Sequence, residues 1–287
     1  MTDAQIFEDH RPSLLALAYR MLGDFARAED LVQDAWLRWS RRDVEVDAPK
    51  SYLLRTVARL CLNELDSARV RRETRADQLP EPLSLEANGL MHVEAIDQLS
   101  MAFLVLLQRL TAAERAVLLL HDVFDFSHAE IAVLLGKSAP ASRKLLERAR
   151  VHVAEERRAL VVSTEEHRRL LGAFVAAATR GDVEALSSLL AEDVVLVADA
   201  GPDGGRYGRV RNLPGPLIGV KKVAAFVAAV TAQGAEGAEV REQELNGRPG
   251  VVLMVDGVPT TALTVSVADG RVRGIFIQAD ASRLSRL

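Results

Sequence analysis

From residue 4 to about 160 the apolar positions recur at helical spacing, with no alternating stretch. Beyond about residue 190 the pattern changes. VVLVA at 194–198, VVLMV at 251–255, TTALTVSV at 260–267 and RVRGIFIQA at 271–279 are β-branched runs, and Asp256-Gly257 and Asp269-Gly270 join the last three as hairpin turns. Helical patterns at about 165–180, 183–190 and 219–231 accompany them. The chain is therefore expected to be multidomain, two all-α modules followed by an α+β domain. Boundaries follow from the breaks: 1–76, a linker at 77–92 with two prolines and a glycine, 93–160, and 163–287.

In the first module, Ala28, Leu31, Val32, Ala35, Trp36 and Trp39 form one apolar stripe along RAEDLVQDAWLRWSR. The opposite side presents Asp30, Gln33, Asp34, Leu37 and Arg41, and a leucine among acids suggests a protein contact face. A second helix, about 49–68, enters through Pro49, where a missing N–H costs nothing. Leu54, Val57, Ala58, Cys61 and Leu65 make its inner side. Tyr52, Arg55, Arg59 and Asn63 rise along another, and Arg69, Arg71, Arg72 and Arg75 follow. An aromatic ring among guanidinium groups suits unpaired nucleic acid, giving a base a π-face and the phosphates positive charge.

The second module carries sharper signals. Thr111-Ala-Ala-Glu114 and Ser127-His-Ala-Glu130 are capping boxes, each opening a helix. Gly136 ends the second helix as a left-handed residue, and Ser138 caps a third, expected to run through Arg150. Ala132, Gly136 and Leu145 match a helix-turn-helix, with Ser142 at a position usually apolar in such motifs. Its second helix would read duplex DNA through the major groove, with Ser142, Arg143, Lys144, Glu147 and Arg148 outward. Arg143 suits guanine O6 and N7, while Lys144, Arg148 and Arg150 suit phosphates.

Composition changes this picture little, but charge sharpens it. The net charge of −4 conceals an alternation. Residues 50–76 hold 7 basic against 3 acidic groups and residues 137–160 hold 7 against 3, while 1–49 hold 6 against 10 and 77–136 hold 2 against 9. The basic islands coincide with the two nucleic-acid candidates. A single cysteine, Cys61, excludes an internal disulfide and points to reducing cytosol. The polar N-terminus and the absence of an apolar run near 18 residues point away from secretion and membranes.

AEDLVQDAWLRW at 28–39, PKSYLLRTVARLCLNELDSARVRRE at 49–73 and LTAAERAVLLLHDVFDFSHAEIAVLLGKSAPASRKLLERAR at 110–150 together resemble bacterial extracytoplasmic-function (ECF) sigma factors of the sigma-70 family. The resemblance covers the first 160 residues in family order. It implies a region 2 at 1–76 and a region 4 at 93–160, with core RNA polymerase (β′ clamp and β flap) and promoter DNA as partners. Glu29, Asp30, Gln33, Asp34 and Leu37 would meet the polymerase. Tyr52, Arg55, Arg59, Asn63, Arg69, Arg71 and Arg72 would meet the minus-ten element. Ser138, Ser142, Arg143, Lys144, Glu147, Arg148 and Arg150 would meet the minus-thirty-five element.

Leu79-Pro80-Glu81-Pro82, followed by an α+β domain, resembles the subgroup with a C-terminal SnoaL-like (NTF2-like) extension. Gln78 stands where that subgroup has tryptophan, and Asp203-Gly204-Gly205-Arg206 approximates its glycine-rich loop. The resemblance implies a cone with an apolar pocket, regulating the sigma modules in cis. A small-molecule ligand in that pocket stays open as an alternative. The domain's only histidine, His167, is expected to be exposed, and Asp199 and Asp256 to be solvated carboxylates or caps. Catalysis is therefore not expected, nor is any metal or cofactor. The protein is expected to be a cytoplasmic monomer. Two other readings remain: a ligand-responsive helix-turn-helix regulator, and a SnoaL-like isomerase or cyclase with a helical appendage.

Overall fold

The computed structural model describes residues 2–71, 78–95, 99–159, 162–201, 213, 215–232 and 237–287. Among these are ten α-helices, α1 (Asp3–Leu22), α2 (Phe25–Ser40), α3 (Pro49–Arg71), α4 (Met101–Gln108), α5 (Ala112–Asp122), α6 (His128–Leu135), α7 (Ala139–Ala159), α8 (Thr164–Arg180), α9 (Val183–Leu189) and α10 (Val220–Ala232). Six strands follow α9: β1 (Leu190–Asp199), β2 (Leu217–Ile218), β3 (Ala238–Leu245), β4 (Arg248–Val255), β5 (Val258–Ala268) and β6 (Arg271–Gln278). They fall into two compact units. One comprises Met1–Arg75, Gly89–Leu99 and Phe103–Glu155; the other comprises Ala76–Asn88, Ser100–Ala102 and Glu156–Leu287.

The first unit holds most of both helical modules. α1, α2 and α3 pack on one another, and α5 packs against α1 and α3. Their core is Leu14, Leu17, Phe25, Trp39, Leu54, Val57 and Leu119, all buried. Two buried arginines stitch the modules together. Arg20 Nη2 donates to the carbonyls of Glu94 (2.5 Å) and Ala95 (2.8 Å). Arg115 donates through Nε to the Leu107 carbonyl at 2.8 Å and through Nη1 to the Met21 carbonyl. Burial pulls both pKa values down to about 10, so both stay cationic at neutral pH. Burial pushes the Cys61 thiol up, which makes it an inert core residue.

In the second unit a six-stranded sheet runs β2-β1-β6-β5-β4-β3. β1 pairs with β6 in parallel, and the other pairs are antiparallel. α8 and α10 cover one face over Phe174, Leu196, Val223, Val227 and Ile275. Both expected Asp-Gly turns form, with φ of 52° and 73° at Asp256-Gly257 and 52° and 70° at Asp269-Gly270. A third hairpin was not expected. Asn246-Gly247 (φ 54° and 73°) joins β3 to β4, and β3, AEVREQEL, carries no apolar alternation because it is an exposed edge strand.

Candidate functional site

α2 begins at Asp24, whose carboxylate accepts from Arg27 N at 2.9 Å. Burial of Ala28, Leu31, Val32, Ala35 and Trp39 turns the opposite face outward. Asp30, Gln33, Asp34 and Leu37 are exposed there, beside half-buried Glu29. Leu37 keeps 40% of its surface in solvent, so the acid-ringed leucine is real. Arg27 bridges Asp30 at 3.4 Å and Glu64 of α3 at 2.9 Å, fixing the face against its neighbour.

α3 buries Leu53, Leu54, Val57, Ala58 and Cys61 and presents the Tyr52–Arg55–Arg59–Asn63 stripe. Tyr52 leans on Trp39 at 5.8 Å between centroids. Arg38, Tyr52, Arg55, Thr56 and Arg59 form one wall of a groove of about 600 Å³. Ala129, Glu130, Val133 and Leu134 of α6 form the other, with Val133 79% exposed. Glu130 is held below the usual carboxylate range by its Ser127 capping bonds and, more weakly, by Arg55. The side chains of Arg69 and Arg71, and all of Arg72, lie outside the described residues, as do Asp203, Gly204, Gly205 and Arg206.

In the helix-turn-helix both capping boxes form, Gly136 is left-handed (φ 60°), and Ser138 Oγ accepts from Ala141 N at 3.3 Å. α7 continues to Ala159, past the expected end. Arg143, Lys144 and Glu147 are exposed. Ser142 is not outward as expected: it is fully buried, and its hydroxyl meets His128 Nδ1 at 3.1 Å, which satisfies a polar group in an apolar slot. Arg150 grips Asp122 at 2.6 and 3.2 Å, and Arg148 reaches Glu114 at 3.3 Å, so both also brace α7 against α5. His121 stacks on His128 at 4.7 Å. Burial, helped by His121, Arg143 and Arg150, keeps the His128 pKa low.

The linker up to Asn88 lies in the second unit, and its backbone is hydrogen-bonded there, mostly by side chains. Leu79 N donates to Asp199 Oδ2 at 2.9 Å, and the Leu79 carbonyl accepts from Arg283 Nη1 at 3.0 Å and Gln278 Nε2 at 3.4 Å. Leu83 N donates to Asn246 Oδ1 at 3.2 Å, and Asn246 N returns a bond to the Leu83 carbonyl at 2.8 Å. Glu81, 4% exposed, pairs with Arg286 at 3.4 Å. Pro80 and Pro82 are buried too, and each lacks an N–H that would otherwise need a partner here. Asp199 is thus neither a solvated carboxylate nor a simple cap. It is buried, and it also accepts from Gly201 N at 3.0 Å.

Sequence reasoning missed Asn246, Gln278, Arg283 and Arg286 in this cradle; only the Asn-Gly dipeptide at 246–247 carried a usable signal. His167 is buried rather than exposed, and burial, then Arg248, lowers its pKa to about 4. Among the described residues no cluster of three metal-ligating side chains occurs, and no helix is long and apolar enough to cross a membrane.

The sigma-70 region 2 model matches residues 6–71, and the sigma-70 region 4 model matches residues 100–153. These two matches define the class as a sigma-70-type initiation factor. The whole chain has relatives too. It is 33% identical to the ECF RNA polymerase sigma factor SigJ of Mycobacterium tuberculosis (strain ATCC 25618 / H37Rv), over 97% of this chain and 92% of that protein. It is 31% identical to the probable ECF sigma factor SigI of the same strain, over 97% and 93%. The crystal structure of M. tuberculosis SigJ superposes with a TM-score of 0.75 at 29% identity, covering 99% of this chain and 98% of that one.

The chain belongs to the ECF sigma factors, in a form that carries a C-terminal α+β domain. It is a transcription initiation factor rather than an enzyme, and its family works with core RNA polymerase and promoter DNA.

Proposed function

We propose that this sigma factor is controlled in cis by its C-terminal domain through the linker, and the buried, main-chain-bonded segment at Leu79–Leu83 carries that reading. The second unit includes two stretches from outside the C-terminal domain, Ala76–Asn88 of the linker and Ser100–Ala102 at the start of the region 4 match. A domain that grips both stretches governs how freely region 4 can move from region 2. Tethering makes even modest contacts effective, because the partner is always present at high local concentration.

Within that frame the 1–76 module engages the polymerase β′ clamp through Glu29, Asp30, Gln33, Asp34 and Leu37. It meets unpaired minus-ten bases through Tyr52, Arg55, Arg59 and Asn63, with Arg69, Arg71 and Arg72 beyond them. The 93–160 module meets the β flap and reads the minus-thirty-five duplex through Arg143, with Ser138, Lys144, Glu147, Arg148 and Arg150 around it. Ser142, being buried, positions α7 instead of touching DNA. The protein works as a cytoplasmic monomer.

Run-off transcription with core polymerase tests the reading. Paired Pro80→Ala and Pro82→Ala changes should alter output while the protein stays folded, and unchanged output would remove the linker from the mechanism.

A further inference from the structure

Buried polar atoms without a protein partner are few among the described residues: Arg20 Nε and Nη1, Arg42 Nε, Ser100 Oγ, His167 Nε2 and Thr264 Oγ1. All three that do not belong to an arginine line the same cavity. Ser100, His167 and Thr264 are 5%, 4% and 4% exposed, and they come from the turn before α4, from α8 and from β5, all in the second unit. Met101, Ala102, Leu245, Val265 and Val267 supply apolar walls, and Ser266 and Arg248 complete the lining. Buried hydroxyls and imidazoles are normally satisfied, so three converging in one place mark a site.

The cavity measures about 20 Å³, enough for one water-sized molecule, which needs about 10–15 Å³ on this measure. Its chemistry narrows the occupant. His167 bonds the Pro249 backbone. Nε2 is unbonded, so that bond runs from Nδ1–H to the carbonyl, and Nε2 presents a lone pair. The lone pair repels anions. The Arg248 charge, which already disfavours the imidazolium, disfavours a cation as well, and no carboxylate lines the cavity. The hydroxyls of Ser100 and Thr264 can either donate or accept. A neutral molecule able to donate to nitrogen and bond two hydroxyls meets every demand.

We propose that this cavity is a binding site for a single water molecule, which donates to His167 Nε2, bridges the Ser100 and Thr264 hydroxyls, and so pins residues 100–102 to the C-terminal domain. Ser100 lies at the first residue of the region 4 match, so the site ties that end of region 4 to the C-terminal domain. It stands or falls independently of transcription output, because its readouts are structural.

The test uses the full chain. Thr264→Val keeps the side-chain shape and deletes the hydroxyl. With water bound, the variant strips one of the water's bonds, and Tm falls by about 2–4 °C. Combining it with Ser100→Ala should then be less than additive, since both act through one molecule. In a dry cavity Thr264→Val removes an unsatisfied group and raises Tm, which overturns the proposal. If the variant fails to fold, the unaltered protein decides through long-range ¹⁵N spectra of His167 at neutral pH. A ring protonated at Nδ1 with a hydrogen-bonded Nε2 supports the site, whereas a free Nε2 lone pair or a protonated Nε2 overturns it. A crystal structure resolving waters should show a peak within about 3.2 Å of all three atoms, and a clean void there would equally end the idea.

Discussion

In the helical unit Arg38, Arg59, Arg143 and Lys144 stand exposed and make no ion pair among the described residues. In the C-terminal unit Asp199, Asn246 and Gln278 are buried, and each bonds the linker backbone. One set of polar groups faces solvent, and the other is committed to its own chain. Exposed guanidinium groups cost little to leave unpaired in water, whereas a buried carboxylate persists only when its bonds are made. On the proposed reading, the contrast separates the surfaces that would meet polymerase and promoter from the one that holds the linker.

The largest expected effect lies in the committed set. Asp199→Ala strands the Leu79 and Gly201 N–H groups, each bonded to a buried charge, and should cost about 4 kcal/mol. Chemical denaturation of the full chain checks this, and Asp199→Asn should recover part of the loss. A fall below about 1 kcal/mol for the alanine variant would mean that the linker bond is not worth what its burial implies.

Next is a pH effect from His167. Its folded pKa, near 4, lies below the ordinary 6.5, so the unfolded chain takes up a proton that the folded chain refuses. The stability present above pH 6.5 is lost as pH falls through this window, by about 3 kcal/mol in all by pH 4. His167→Gln should flatten that part of the stability-against-pH curve, and an unchanged slope would assign the loss to other groups.

Effects in the uncommitted set are smaller and should leave folding intact. Arg143→Ala should weaken binding to a minus-thirty-five duplex by about 2 kcal/mol and relax sequence preference at one base pair, read by fluorescence anisotropy at fixed salt. Asp34→Arg should reduce affinity for core polymerase about tenfold, ~1.4 kcal/mol, while shifting stability by less than about 0.5 kcal/mol. A large loss of stability in either variant would place that residue with the committed group.

Much of this division could be read from residue order. The capping boxes at Thr111 and Ser127, the left-handed Gly136 and the Asp-Gly turns form as expected, because each is settled by neighbours within a few positions. The stripe from Tyr52 to Asn63 was equally legible, since helical periodicity fixes which side faces out. The cradle was not. Asp199 and Leu79 are 120 positions apart, and Asn246 and Leu83 are 163 apart. Nothing local distinguishes a carboxylate at a strand end that faces water from one that faces a docked chain. His167 misled for the same reason, because its burial comes from segments distant in sequence. Ser142 misled differently: its slot was recognisably apolar, but its partner, His128, lies on the preceding helix.

The central claim is that the linker's seat on the C-terminal domain controls initiation. Run-off transcription with core polymerase should compare the full chain with the Asp199→Asn and paired Pro80→Ala, Pro82→Ala variants, each verified as folded. Both variants should shift promoter output in the same direction by about fivefold or more, the size of an ordinary coupling energy. Output equal to the unaltered chain in both, with the linker shown by hydrogen exchange to be released, would contradict it.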